Sequence, residues 1–174
     1  MVHKEKNVKL TELMSIEKWE ALEKAFNKRS GLNACVYDTE GFRITSFAAW
    51  ANDLCPAIKS SPQGASAICA LANQYVTSQA KETGQPVIID CDAGMVKFAI
   101  PIFWNNDFLG TVGGCGHRLP DSEVETFLIH KAIGRDLKEL DAMAADVKII
   151  SNEEINEHIK FLQNELSSLL KDCV

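Results

Sequence analysis

The strongest constraint on the fold is a hairpin pattern in the second half of the chain. Two apolar segments, 95–103 and 108–114, are separated by Asn105-Asn106-Asp107, residue types that favour tight turns. Strands joined by so short a turn pair in the antiparallel direction. Pro101 lies within the first segment and lacks the amide hydrogen that a sheet uses, so it predicts an edge position or a bulge.

The remaining segments fit around this hairpin. A turn at 38–41 joins two further strand candidates and a third stands alone, and these cover 34–37, 42–47 and 87–90. Apolar stripes, a proline after two serines, and a capping box of Ser122 and Glu125 predict helices over 11–28, 62–82 and 122–133. The order predicts an α+β fold with a central antiparallel sheet flanked by helices, similar to PAS and GAF sensor domains.

The C-terminal segment carries the most regular apolar stripe. Its members follow one another at spacings of three and four residues: Ile155, Ile159, Leu162, Leu166, Leu169 and Cys173. Two interpretations are open, a helix packed on its own domain and a helix that pairs with a second copy and carries a signal. We expect a homodimer with these residues facing across the two-fold axis.

Charge and hydropathy argue against two classes of partner. The net charge is −6 with no cluster of lysine and arginine, which argues against direct binding of nucleic acid. No apolar stretch approaches the roughly 20 residues that a membrane span needs, and the first residues are polar, unlike a secretory signal. We therefore expect a cytoplasmic protein that binds neither nucleic acid nor membrane.

Six cysteines are many for a chain of this size in a reducing compartment. Four of them lie in the middle of the chain on separate predicted elements: Cys55, Cys69, Cys91 and Cys115. Four converging thiolates would suit zinc or an iron–sulfur cluster, because soft sulfur ligands select these metals. The alternative is that each cysteine is an independent small buried residue. The sequence contains no CxxC pair, which would have favoured a metal site over this alternative.

A glycine-rich strand end, 110–117, is the second candidate site. Gly113 and Gly114 weaken a strand. Glycines within strands usually mark a bulge or a place where another group approaches the backbone closely, and a ligand is one candidate for that group. A twisted strand end without a ligand is the alternative. His117 is a candidate ligand contact, although a surface position suits it as well. Cys91 or Cys115 with His117 would make a Cys/His pair, but no third group orients it, so we predict no catalytic residue.

We expect a ligand pocket between the sheet face of 98–103 and 112–115 and the helix that carries Cys69. Trp50, Tyr75 and Phe98 are the predicted walls. Asp92 is the predicted polar contact, because pockets for small ligands are concave, mostly apolar and supplied with few polar groups.

An ordered set of short segments runs through the middle of the chain: 37–41, 53–55, 60–64, Cys69, 83–88, 91–95, 98–102, 108–110 and Gly113-Gly114. Together these segments resemble the PocR-type sensory domain family over about residues 12–135. The resemblance implies a PAS-like domain that senses small molecules and acts on an output module such as a transcription regulator or a kinase. It also implies that the cysteines matching Cys55, Cys69 and Cys91 meet in one site.

Two positions depart from the family pattern. Asp92 stands where a histidine often follows the third cysteine, and Cys115 stands where a glutamine often follows the paired glycines. A fourth thiol in that position favours a metal centre over the small organic ligand that is usual in the family.

The predicted function is a cytoplasmic sensor that binds a small organic effector or a cysteine-ligated zinc or iron–sulfur centre, and passes its state to an output partner. The chain is not expected to be an enzyme. A thiol-based redox enzyme of GAF-like fold and a zinc-stabilised dimerisation module are the alternatives. The predicted division is a sensory domain over 1–135, with the N-terminal helix, and a helical signalling or dimerisation segment over 136–174.

Overall fold

The computed structural model describes residues 8–173, which are organised around one four-stranded sheet. The strands are β1 (Asn33–Tyr37), β2 (Val87–Asp90), β3 (Val96–Trp104) and β4 (Asp107–His117). They stand in the order β1-β4-β3-β2, and every neighbouring pair is antiparallel. A central antiparallel sheet with helices around it confirms the predicted α+β class.

Helices precede, connect and follow the strands. The α-helices are α1 (Leu10–Leu13), α2 (Ile16–Ser30), α3 (Leu54–Ser60), α4 (Pro62–Gly64), α5 (Leu71–Thr83), α6 (Thr126–Ile133), α7 (Leu137–Ala145) and α8 (Asn152–Lys171). A π-helical segment, Ala65–Ala70, connects α4 to α5 without a break. Among the described residues, no helix combines the length and the apolar character that a membrane span needs.

The hairpin of β3 and β4 forms as the sequence predicts. Asn105 and Asn106 have positive φ angles of 49° and 69°, which suit a tight turn between right-twisted strands. Pro101 lies beyond the stretch 96–99 that pairs with β2, so β3 has an open side at this residue. The predicted edge position of this proline is therefore confirmed.

The segment 42–47 is not a strand, contrary to the sequence prediction. Tyr37 and Arg43 form only an isolated bridge. The Arg43 guanidinium donates to the carbonyl of Ala34 at 3.1 Å and pairs with the carboxylate of Glu23 at 3.4 Å. Beyond the two backbone bonds of this bridge, from the Asp38 amide to the Phe42 carbonyl at 2.8 Å and from the Ile44 amide to the Val36 carbonyl at 3.1 Å, side-chain bonds hold this segment beside β1.

The capping box predicted from Ser122 and Glu125 is also wrong. Helix α6 begins at Thr126, with Glu125 as its N-cap residue and without a side-chain cap bond. The Ser122 hydroxyl donates instead to the carboxylate of Asp90 at 2.8 Å, and the Glu125 amide donates to the carbonyl of Ala93 at 3.0 Å. These bonds fasten the start of α6 to the turn that follows β2.

The two faces of the sheet carry different helices. Helices α2 and α8 pack on one face, where the rings of Phe26 and Phe98 meet edge to face at 5.9 Å within the main apolar cluster. Helix α5 packs on the other face, where Thr77 hydrogen bonds with Thr111 of β4 at 3.4 Å. A second apolar cluster joins α3, α6 and α7 beside this face, and three cysteines pack against that cluster.

Helix α8 buries its stripe in its own domain. Ile155, Ile159, Leu162 and Leu166 are at most 7% exposed and belong to the main apolar cluster. The prediction that these residues face across a two-fold axis is therefore wrong, because the sheet and α2 already cover them. A homodimer stays a prediction, but these residues do not form its interface.

Leu162→Ala is expected to destabilise the fold by about 2–5 kcal/mol, since it empties a fully buried position in the main cluster. The control is Leu71→Ala, which shortens a leucine that is 55% exposed and should change stability by about 0.5 kcal/mol or less. Urea unfolding measures both, and sedimentation records the oligomeric state. If Leu162→Ala changed the oligomeric state without lowering stability, the apolar stripe of α8 would have to pack against a second chain.

Candidate functional site

A cavity between the sheet and the helices on the α5 side is the candidate site. Strands β1, β3 and β4 form its floor, and α3, the π-helical segment and the start of α5 form its roof. Its volume is about 40 Å³, counted as space for the centres of water molecules. Because one water molecule needs about 10–15 Å³ on this measure, the cavity suits a compact occupant.

Five of the six cysteines line this cavity. They come from β1, from α3, from the π-helical segment, from the turn after β2 and from β4, in the order Cys35, Cys55, Cys69, Cys91 and Cys115. The four thiols that the sequence analysis singles out therefore border one space, although no two of them are close in sequence.

Two asparagine side chains direct N–H groups at two of these sulfurs. The Asn52 oxygen accepts from the amide of Cys55 at 2.8 Å. Its Nδ2 donates to the Gly116 carbonyl at 2.6 Å and also lies within hydrogen-bond distance of two sulfurs, Met95 at 3.2 Å and Cys55 at 3.4 Å. The Asn33 oxygen accepts from the amide of Ala51 at 2.7 Å, and its Nδ2 donates to the Cys115 sulfur at 3.6 Å. Because each oxygen has a backbone partner, the orientation of both amides is fixed.

Cys69 lies in the π-helical segment, Ala65–Ala70. Such segments are rare within helices and are frequent at functional sites, because the wider turn shifts the phase of the side chains that follow. Ile68, Cys69 and Ala72 all line the cavity across this change of phase.

Cys91 follows β2 in the turn that the sequence predicts. Its amide donates to the carbonyl of Met95, and its carbonyl accepts from the amide of Gly94, both at 2.8 Å. These bonds fix Cys91 at the end of the β2–β3 pair, at the border of the cavity.

Burial keeps these thiols protonated at neutral pH. It raises the pKa of Cys55 to about 12 and the pKa of Cys69 to about 11, and it also raises the pKa of Cys91. Burial is the largest cause for all three; negative charge on Cys115 would raise each pKa further, whereas Lys59 lowers the pKa of Cys69 and a backbone hydrogen bond to Met95 lowers that of Cys91. All four thiols border the same cavity, so ionisation of one would disfavour ionisation of the others.

Lys97 brings a positive charge into the cavity. The residue is 4% exposed, and its ammonium nitrogen lies 3.3 Å from the Tyr37 hydroxyl. The pKa of Lys97 is raised: burial lowers it, but negative charge on Tyr37, Cys115 and Cys35 raises it by more, so the ammonium is stabilised when a neighbouring group or an occupant is anionic. Burial raises the pKa of Tyr37 well above its ordinary value, so the neighbouring phenol is neutral.

Other charges at the cavity do not offset that of Lys97. Arg43 is already paired with Glu23, and Lys59 lies near the outside with its nitrogen 5.5 Å from the centre of the exposed Trp50 ring. Within residues 8–173, no aspartate or glutamate lines the cavity. An ammonium at Lys97 has no carboxylate partner among the described lining residues, which favours thiolates or an anionic occupant beside it.

Three predicted wall and contact residues do not line the cavity. Tyr75 is 55% exposed, because α5 turns Ala72 towards the sheet and Tyr75 towards solvent. Asp92 is exposed in the turn after β2. Phe98 is buried on the opposite sheet face, where strand alternation directs it at α2. Their expected place in the pocket is therefore corrected, and Trp50 is the predicted wall residue that does line it.

The paired glycines serve opposite faces of β4. Gly113 lies on the cavity face, and a Cβ added there would collide with the carbonyl oxygen of Phe98. Gly114 lies on the other face, and a Cβ added there would stand 2.8 Å from the ring of Phe26. The close approach that the sequence predicts at these glycines is therefore made by the neighbouring strand and by an α2 side chain.

His117 lies on the side of the sheet that carries α2 and α8. Its Nε2 is buried and has no hydrogen-bond partner among the described residues. Burial, followed by the charges of Lys148 and His158, lowers the pKa of His117. The residue does not line the cavity, so its predicted role as a ligand contact finds no support in its position.

Sequence reasoning missed the polar part of the site. Lys97 carried a usable signal, because it is a single lysine within an otherwise apolar strand. Tyr37, Asn33 and Asn52 show no local pattern that separates them from ordinary strand and turn residues. Their role depends on which strand and which loop stand opposite one another.

The donors around the cavity are sulfur-rich and cationic. In the described part of the chain, no three cysteine, histidine or acidic side chains stand close enough together to hold a single metal ion. A compact anion, or a cluster of several metal atoms that each take one thiolate, matches this set of donors.

The fold and the cavity together define an α+β domain with an internal, sulfur-lined site. A family model described as the sensory domain found in PocR matches residues 12–173. The chain therefore belongs to the PocR family of sensory domains, which confirms the resemblance carried by its short segments. Comparisons with curated proteins and with solved structures gave no match.

Lys97→Met is expected to stabilise the protein when it has been refolded with a chelator and holds no occupant. The change removes a buried amine that has no carboxylate partner lining the cavity among the described residues and keeps a long apolar side chain, which should add about 1 kcal/mol or more. Lys59→Met, at the outside of the cavity, is the control and should change stability by about 0.5 kcal/mol or less. Urea unfolding measures both, and a loss of stability in Lys97→Met would mean that the fold itself neutralises this charge.

Proposed function

We propose that this chain is a cytoplasmic signal-sensing domain whose receiving site is the cysteine-lined cavity. The observation that carries the proposal is the burial of Lys97 in a cavity that is lined by thiols from five separate elements and by no described carboxylate. A buried ammonium without an anionic partner lowers the stability of the fold. Proteins retain such groups where a bound ligand supplies the opposite charge. The occupant is therefore compact and anionic, either a small organic effector or a cysteine-ligated centre.

The arrangement of layers supports a route from the cavity to the C-terminal helix. The cavity floor includes β1 and β4, and the opposite face of these strands packs against α2 and α8 through Ala34, Val36 and Val112. A side chain displaced by an occupant presses on strands that α8 contacts directly. The signal passes from there to an output partner, a protein or a further domain such as a transcription regulator or a kinase.

The outer side of the cavity is suited to admit an occupant. Trp50 is 41% exposed, and the Lys59 ammonium stands 5.5 Å from the centre of its ring. Both side chains line the cavity, and a lysine at its outer side attracts an anion towards the interior.

Two other functions are less well supported. A thiol-based redox enzyme needs a thiolate at neutral pH, but burial raises the pKa of Cys91 and no described histidine lines the cavity beside it. A zinc-stabilised dimerisation module needs an unpartnered apolar face, but the α8 stripe is buried within its own domain.

The test is to fill the cavity and ask whether the protein loses its occupant. Ala72→Phe places a ring where Ala72 now lines the cavity, and Ser78→Phe adds the same ring to the exposed side of α5. We expect native mass spectrometry of anaerobically purified protein to show excess mass on the wild type and on Ser78→Phe, but not on Ala72→Phe. Circular dichroism checks that both variants fold.

Equal excess mass on the wild type and on Ala72→Phe would place the occupant elsewhere and contradict the proposal. The absence of any excess mass on the wild type would contradict it as well.

A further inference from the structure

We propose that Cys55, Cys69, Cys91 and Cys115 are the ligands of an iron–sulfur cluster held in the cavity, with Lys97 as its neighbouring cation. This inference rests on the proposed function, because it names the chemical class of the occupant of the same site.

The first argument is the convergence of the four thiols. One comes from the first turn of α3, one from the π-helical segment, one from the turn after β2 and one from β4. All four line one cavity and none is fully buried, although Cys55, Cys69 and Cys91 also pack against the second apolar cluster. Independent structural cysteines would be spread through the core and fully buried, as Cys35 is.

The second argument is the chemistry of the donors. Among the described residues, the cavity has thiols but no lining histidine or carboxylate, a set that selects zinc or an iron–sulfur cluster. Zinc draws its four sulfurs to about 2.3 Å from one centre. A [4Fe–4S] cluster instead takes one thiolate on each iron, so its four ligands surround a wider group. Four thiols distributed around the border of a cavity fit the wider arrangement.

The third argument is the pair of N–H groups directed at sulfur. Asn52 donates to the Cys55 sulfur at 3.4 Å, and Asn33 donates to the Cys115 sulfur at 3.6 Å. A protonated thiol is a weak acceptor, whereas a metal-bound thiolate is a stronger one. Hydrogen bonds to ligand sulfurs are among the means by which proteins tune such clusters. The fixed amides therefore suit sulfurs that carry negative charge.

The fourth argument is charge. A [4Fe–4S] cluster with four thiolates is anionic. In this cavity it would supply an anionic partner for the ammonium of the buried Lys97. Lys97 faces Cys115 across the β3–β4 pair, so its charge lies beside one ligand. The outer Lys59 adds to the same field and lines the same cavity.

The binding step balances without an electron transfer. A synthetic [4Fe–4S] cluster with four 2-mercaptoethanol thiolate ligands is the probe. Each cysteine sulfur forms a bond to one iron, the bond from that iron to the mercaptoethanol sulfur breaks, and the leaving thiolate takes the cysteine proton. Four Fe–S bonds form, four break, and the oxidation state of the core does not change.

The experiment incubates the full chain with this cluster under anaerobic conditions, removes free cluster by gel filtration, and measures iron and sulfide. We expect about four irons and four sulfides per wild-type chain, with visible absorption. Single alanine variants of Cys55, Cys69, Cys91 and Cys115 should each lose at least half of this content. Cys35→Ala, in the same cavity, and Cys173→Ala, near the C-terminus, are matched controls and should retain it.

Alkylation of the wild type supplies a readout that does not depend on the folding of variants. Bound cluster should protect the four ligand thiols from iodoacetamide in the native protein and leave the labelling of Cys173 unchanged, as read by peptide mass spectrometry. Full iron content in any of the four variants, or equal labelling with and without cluster, would overturn the assignment. One zinc per chain bound in preference to the cluster would overturn it too.

The two proposals fail in different ways. If the wild type carries an occupant that contains no iron, and Ala72→Phe removes it, the proposed sensing site stands but the assignment of an iron–sulfur cluster is wrong. A wild type that takes up neither an occupant nor the cluster would overturn both.

Discussion

Strand β4 has no side chain at two successive central positions, and both sides of the domain depend on that gap. At Gly114 the ring of Phe26 comes so close that a Cβ would stand 2.8 Å from it, which lets α2 pack tightly on the sheet. At Gly113 the backbone of β3 approaches so closely that a Cβ would collide with the carbonyl of Phe98. The same strand therefore anchors the apolar core on one face and carries Cys115 at the floor of the cavity on the other.

The cavity combines groups that a purely structural core would avoid. A lysine that is 4% exposed stands beside a neutral phenol and several thiols, and no described carboxylate lines the space. Burial of an uncompensated charge lowers stability, so the core would be more stable with an apolar residue at position 97. The chain belongs to a sensory family, and the proposed anionic occupant would supply the partner that Lys97 lacks among the described residues.

The position of α8 decides how the state of such a site leaves the domain. Its apolar stripe packs on the face of the sheet opposite the cavity, together with α2. The strands that form the cavity floor contact α8 directly, and no described residue of the helix lines the cavity, so the proposed route to α8 runs through these strands. The exposed side of α8, which carries most of its charged residues, is the side that remains for an output partner or a second copy.

The sequence by itself determined the local elements, because turns, caps and apolar periodicity act between neighbours in the chain. Asn105 and Asn106 indicated the β3–β4 hairpin, and a family-like order of short segments indicated the sensory class. The cysteine positions likewise indicated four thiols on four elements. Local patterns failed at 42–47, where Arg43 and Glu23 replace a ladder, and at Ser122, which bonds to Asp90 instead of capping α6.

Only the tertiary structure decided what these elements meet. The heptad spacing of the α8 stripe is the same for a partner helix as for the domain's own sheet, and the packing of the sheet selected the latter. Phe98 and Lys97 are adjacent in sequence, yet strand alternation directs one to the core and the other to the cavity. The meeting of Lys97 with Tyr37, and of Asn33 with Cys115, depends on strand register, because these contacts join residues 60 and 82 positions apart.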